Sequence, residues 1–171
     1  MIIADSTALI HLSRIGKLSL LQRLFTKVII PEAVYDEVVI QGRAKNIANA
    51  EIIATQDWII RKKLSEKHLD EAKSLYKNTP LGMGEAEAII MAKAENTILL
   101  LDDKVGAKIA QSFGIETYWT TSVILKAAAD KTITKDEAKN IIKELVRTGY
   151  HLKPEILLKI MEHLDSGQHP K

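Results

Sequence analysis

Five short apolar runs punctuate the chain, and a segment of helical character follows each of them: MIIA (1–4), KVII (27–30), WIIRKKL (58–64), TILLL (97–101) and IETYW (115–119). Strands separated by helices with short connections specify an α/β fold with a largely parallel sheet. The intervening helices carry their own punctuation. STALIHLSRIG places Leu9, Leu12 and Ile15 on one face and ends at Gly16, KLSLLQRLF is a second short helix, and Pro31 opens PEAVYDEVVIQ in a first helical turn. SEKHLDEAKSLYKN, GEAEAIIMAKAEN, DDKVGAKIAQSFG and TTSVILKAAADK complete the set. The expectation is a three-layer α/β/α domain around a five-stranded, mainly parallel sheet, with the first and fourth strands adjacent.

After the fifth run the pattern changes. TKDEAKNIIKELVRTGY begins with a capping box, Thr134 to Glu137, and Pro154 opens PEILLKIMEHL, so residues 133–164 read as a pair of C-terminal helices. Ile141 and Leu145 on the first, and Ile156, Leu157, Ile160 and Leu164 on the second, form apolar faces that need cover from the domain or from a second copy. Residues 1–165 read as one domain and 166–171 as a flexible tail. With 171 residues, 46% of them hydrophobic, the chain can bury a substantial core, and without cysteine it has neither disulfides nor thiolate metal sites. Its N-terminus lacks a basic signal region and no apolar run approaches the ~20 residues of a membrane span, so a cytoplasmic protein is expected. Net charge is only +2, so binding to a polyanion must rest on local clusters.

Two of the apolar runs end on carboxylates, at Asp5 and at Asp102 and Asp103. In an open parallel sheet ligands bind beyond the carboxyl ends of the strands, near the point where strand order reverses. If the first and fourth strands are neighbours, Asp5 and Asp102 arrive at one edge about 5 Å apart. Carboxylates that close repel, and a divalent cation would offset the repulsion. The simpler role for each is a helix N-cap. Glu37 borders the buried stripe of its helix, whereas Glu32 and Asp36 fall on the solvated face. Glu85 lies in the first turn of the helix leading to the fourth strand, and Glu87 is the competing register.

These acids, each in its expected element, resemble the PIN domain family of metal-dependent nucleases. ADSTALIHL, IPEAVYDEV, GEAEAI, LLLDDKVGAKIA and the C-terminal helical pair resemble a prokaryotic PIN-like subfamily of unknown function. The resemblance implies that Asp5, Glu37, Glu85 and Asp102 are catalytic and hold Mg²⁺ or Mn²⁺, with Asp103 a further or alternative ligand. It also implies substrate contacts at Ser6 and Thr120; Trp119 stands where the subfamily tends to have glycine. The implied activity is endoribonucleolytic cleavage of RNA, in some members as the toxin of a toxin–antitoxin pair, which would add an antitoxin and a homodimer partner.

Carboxylate oxygens suit Mg²⁺ or Mn²⁺, and such a site activates water toward phosphorus. Ser6 has no nearby histidine to activate it, and His11, His68, His151, His163 and His169 show no ligand spacing. Lys104 and Lys108 start the helix at the acidic edge and are the leading phosphate contacts. A phospho-receiver domain would place its acidic pair after the first strand, and a haloacid-dehalogenase-like phosphatase would need Asp where Thr7 stands. The remaining rival is a non-catalytic PIN-like module that binds RNA or protein.

Overall fold

Alternate residues of the central strands divide between two apolar layers, which forces helices onto both faces of the sheet. A computed structural model describes residues 1–166; His169 and most of the expected tail lie outside the described residues. Strands β1 (Ile2–Ala4), β2 (Val28–Pro31), β3 (Ile59–Lys62), β4 (Leu99–Leu100) and β5 (Thr117–Tyr118) form one five-stranded sheet in the order β3-β2-β1-β4-β5. Every pairing is parallel, with Ile3 beside Leu99 and Ala4 beside Leu100 in the β1–β4 register. On one face Ile2, Ala4, Val28, Ile30 and Leu100 pack with Leu9 and Leu12 of α1 (Ser6–Arg14) and Leu21 of α2 (Ser19–Phe25).

The chain then leaves β2 through α3 (Glu32–Tyr35), a π-helical segment (Asp36–Gln41) and α4 (Gly42–Ala44). Pro31 is the last residue of β2 and the cap of α3, one position before the helical turn expected for it. The short α5 (Ala48–Ala54), which buries Ala50 and Ile53, has no counterpart in the sequence reading because its apolar pattern spans under two turns. β3 is the edge strand and largely exposed, and its Arg61 and Lys62 pair with Glu32 and Glu95, charges that protect an unpaired edge.

The opposite face of the sheet, Ile3, Ile29, Leu99 and Leu101, packs on Ala88, Ile89, Met91 and Ala92 of α7 (Met83–Glu95). Beside α7 lie α6 (Glu66–Asn78) and α8 (Lys104–Ser112), whose Leu75 and Ala110 join the same layer. A third cluster holds the C-terminal pair. Ile141, Ile142 and Leu145 of α10 (Lys135–Arg147), with Ile160 and Leu164 of α11 (Pro154–Ser166), bury against Leu20 of α2 and Ile124 and Ala127 of α9 (Thr120–Ala129). Of the two kinds of cover their apolar faces required, the chain itself supplies the larger part. Among the described residues no helix is long and apolar enough to cross a membrane.

Candidate active site

Strand order runs outward from β1 toward β2 and β3 on one side and toward β5 through β4 on the other, so the switch point lies between β1 and β4. Asp5 stands at this point, its N–H donating to Leu100 O at 3.0 Å as the last rung of the β1–β4 ladder. Its side chain is 1% exposed. Oδ1 accepts the Ala8 N–H at 3.2 Å and caps α1, while the buried Oδ2 has no hydrogen-bond partner among the described residues. Cap and candidate ligand are thus two oxygens of one carboxylate. Burial pushes the Asp5 carboxyl well above the usual range, and the charges of Asp102 and Glu85 add to the effect.

Asp102 and Asp103 divide their roles. Asp103 is the cap of α8, its Oδ1 accepting the Gly106 N–H at 2.6 Å, so the cap role considered for Asp102 belongs to its neighbour. Asp102 accepts the Thr120 N–H at 2.8 Å and the Tyr150 hydroxyl at 2.8 Å on Oδ1, and the Thr120 hydroxyl at 2.5 Å on Oδ2. Thr120 is fully buried, and both its N–H and its hydroxyl donate to Asp102. Ser6, in the first turn of α1, is also buried, at 5% exposure.

Glu85 satisfies a donor at the start of α7, accepting the Gly82 N–H at 2.8 Å through Oε2. Burial raises its carboxyl, the Gly82 bond opposes that, and the charges of Asp103 and Glu37 raise it further. Glu37 reaches this neighbourhood because Gly84 has no side chain. A Cβ there would meet Glu37 Oε2 and Val34 Cγ2 at 3.2 Å, so glycine is what lets the helix after β2 approach α7. Glu37 itself sits in the π segment, a bonding pattern found mostly as single turns at functional sites. Glu87 points elsewhere: it is buried, and its Oε2 accepts the Ala33 N–H at 3.0 Å at the start of α3. Lys104 and Lys108 are exposed on α8.

Asp5 therefore feels Asp102 and Glu85, and Glu85 in turn feels Asp103 and Glu37. All five acids belong to one electrostatic group at the carboxyl edge of the sheet. A model of the PIN domain family matches residues 1–166. The chain belongs to the PIN domain family. PIN domains are in general nucleases and generally use divalent metal ions. No curated protein matches the chain.

How well this PIN domain's acids suit a divalent ion depends on which oxygens are free. Among the described residues no three Asp, Glu or His side chains converge as a ready-made ligand group. Backbone N–H groups already engage one oxygen each of Asp5, Glu85 and Asp103, and both oxygens of Asp102 accept hydrogen bonds. That suits an ion that keeps several waters and takes one or two carboxylates directly, as Mg²⁺ does. The orphaned Asp5 Oδ2 is the oxygen best suited to direct contact.

Sequence reasoning missed two neighbours of the site. Tyr150 bonds Asp102 across 48 positions, and His11 stacks edge-on against the Tyr150 ring with centroids 5.1 Å apart. Burial lowers the His11 pKa, partly offset by the Asp102 charge, and its Nδ1 is buried with no partner among the described residues. Only a buried aromatic following the helix-ending Gly149 could have hinted at Tyr150 from the sequence.

Proposed function

We propose that this PIN domain is a Mg²⁺- or Mn²⁺-dependent endoribonuclease hydrolysing phosphodiester bonds of single-stranded or structured RNA. The observation that carries the reading is the buried Asp5 carboxylate, which caps α1 with one oxygen, keeps the other unpartnered among the described residues, and has Asp102 and Glu85 as acidic neighbours. Asp5 and Asp102 would hold the ion directly, and Glu37, Glu85 and Asp103 would reach it through water. When bound, the ion activates a water toward phosphorus and stabilises charge on the leaving oxygen. Lys104 and Lys108 contact phosphates and set the register of the RNA backbone without reading its sequence.

The test is thermal melting of the metal-free protein with and without Mn²⁺, beside cleavage of a mixed RNA pool. An ion at about 100 times its dissociation constant adds ~2.7 kcal/mol to stability, so the melting temperature should rise by about 5–10 °C. Cleavage should appear with the metal and vanish with chelator. If neither response occurs, the better account is a non-catalytic RNA- or protein-binding module, a reading favoured by how fully protein donors hold the Asp102 carboxylate.

Self-association through α11 is a further part of the proposal. Ile156 and Leu158 remain 43% and 60% exposed there after the rest of the apolar face has packed within the chain. Light scattering at micromolar concentration should give the mass of a dimer; the mass of a monomer would end this part of the reading. The toxin role implied by the resemblance stands on gene context, where a small upstream reading frame with a DNA-binding pattern would supply the antitoxin.

A further inference from the structure

The turn between α10 and α11 is built to deliver a side chain back to the sheet edge. Thr148 caps α10 and Gly149 follows at φ +99°, a value that favours glycine. The Gly149 N–H bonds Val146 O at 3.1 Å and the Tyr150 N–H bonds Leu145 O at 2.9 Å, the paired bonds of a Schellman motif. This reversal is fastened to α1 from outside, where Arg14 Nη1 donates to Thr148 O at 3.2 Å. From inside, the His11 ring meets the Tyr150 ring edge-on at an interplanar angle of 84°. Tyr150 is left 7% exposed, with its hydroxyl donating to Asp102 Oδ1 at 2.8 Å.

An ionised carboxylate offers about four acceptor positions. On Asp102 the Thr120 N–H and the Tyr150 hydroxyl share Oδ1, and the Thr120 hydroxyl takes one position on Oδ2. The carboxylate cannot rotate without breaking one of these bonds, and its remaining acceptor position lies on Oδ2. We propose that Tyr150 is a positioning residue: its hydroxyl occupies Oδ1 and fixes Asp102 so that Oδ2 is presented to a divalent cation or its water. The C-terminal helical pair is then part of the active site and not an appendage to it. This deepens the metal-dependent reading and rests on it. A carboxylate oxygen offers no proton, so in this 2.8 Å contact the phenol hydroxyl is the donor.

Tyr150→Phe tests the inference because it keeps the ring against His11 and removes only the hydroxyl. The measurements are Mn²⁺ affinity by calorimetry on the metal-free protein, and RNA cleavage as a function of Mn²⁺ concentration. Residues that orient a metal ligand typically alter metal affinity or activity by 10- to 100-fold, so Mn²⁺ should bind Tyr150→Phe about 10-fold more weakly. Cleavage at saturating Mn²⁺ should recover most of the lost rate. A purely structural residue would lower the folded fraction and leave the affinity of the folded molecules unchanged. Ile142→Val, a change in the same buried cluster away from the acids, measures that baseline. Equal Mn²⁺ affinity in Tyr150→Phe and wild type, or a loss matched by Ile142→Val, overturns the inference alone. A wild type that neither binds Mn²⁺ nor cleaves RNA overturns the metal reading and this inference with it.

Discussion

Asp5→Asn is expected to cut Mn²⁺-dependent RNA cleavage by ~100-fold or more, equivalent to about 2.7 kcal/mol of transition-state stabilisation, while making the metal-free protein more stable. The two effects have one source. Asparagine preserves the shape and still accepts the Ala8 N–H that caps α1, since it is as good a cap as aspartate. What it removes is a buried negative charge facing Asp102 and Glu85. In the wild type the folded-state Asp5 pKa lies above its unfolded value, so between those two values the folded protein binds more protons. Stability contributed by this group therefore falls as pH rises through that window, and the folded state carries the full penalty only above the folded-state value. Asn has no such proton to lose, so its stability advantage should grow as pH rises through the window and shrink toward acid. Melting curves of both proteins in chelator across pH 4–8, beside cleavage assays in Mn²⁺, decide the matter. A residue that only caps α1 would leave cleavage near the wild-type rate and show no such pH-dependent difference.

The parts of this site that the sequence reveals are those whose cause is local. A parallel strand covered on both faces must be apolar along its length, so Ile2–Ala4 and Leu99–Leu101 are visible as runs, and an acid that stops each run marks the carboxyl edge. The family resemblance adds Glu37 and Glu85 to the same set of acids, with Glu87 as the competing register. Where two adjacent residues are chemically alike, the sequence is silent. Asp102 and Asp103 differ only in which of them meets the first free N–H groups of α8, and the backbone of the turn settles that in favour of Asp103. Glu87 is hidden for a related reason. α7 buries residues nearly all around, so helical period gives its acids no clear side, and the partner of Glu87 is the start of another helix. The π turn at Asp36–Gln41 has no mark in DEVVIQ, whose residues would suit an α-helix equally well. Tyr150 is the extreme case, since its meaning depends on a contact 48 positions away.

Asp102→Ala is expected to behave oppositely to Asp5→Asn in the fold and alike in catalysis. It should abolish metal-dependent cleavage and also destabilise the metal-free protein by about 2–4 kcal/mol, because donors that lose a buried acceptor retain their desolvation cost. The donors are the Thr120 N–H, the Thr120 hydroxyl and the Tyr150 hydroxyl. Thr120 is fully buried and Tyr150 nearly so, which leaves little water to replace the carboxylate. Asp102→Asn separates charge from hydrogen bonding. Its carbonyl still serves the Thr120 N–H and Tyr150, and the Thr120 hydroxyl can turn to accept from the new amide, so it should lose cleavage with much less loss of stability. Urea unfolding in chelator measures these differences. The decisive comparison is the double variant Asp102→Ala with Tyr150→Phe. If the hydroxyl is an orphaned donor in Asp102→Ala, deleting it should recover part of the lost stability, so the two changes should be clearly less costly together than as a sum. Strict additivity, or a wild-type urea midpoint for Asp102→Ala, would mean that these bonds to Asp102 do not hold the edge of the sheet together.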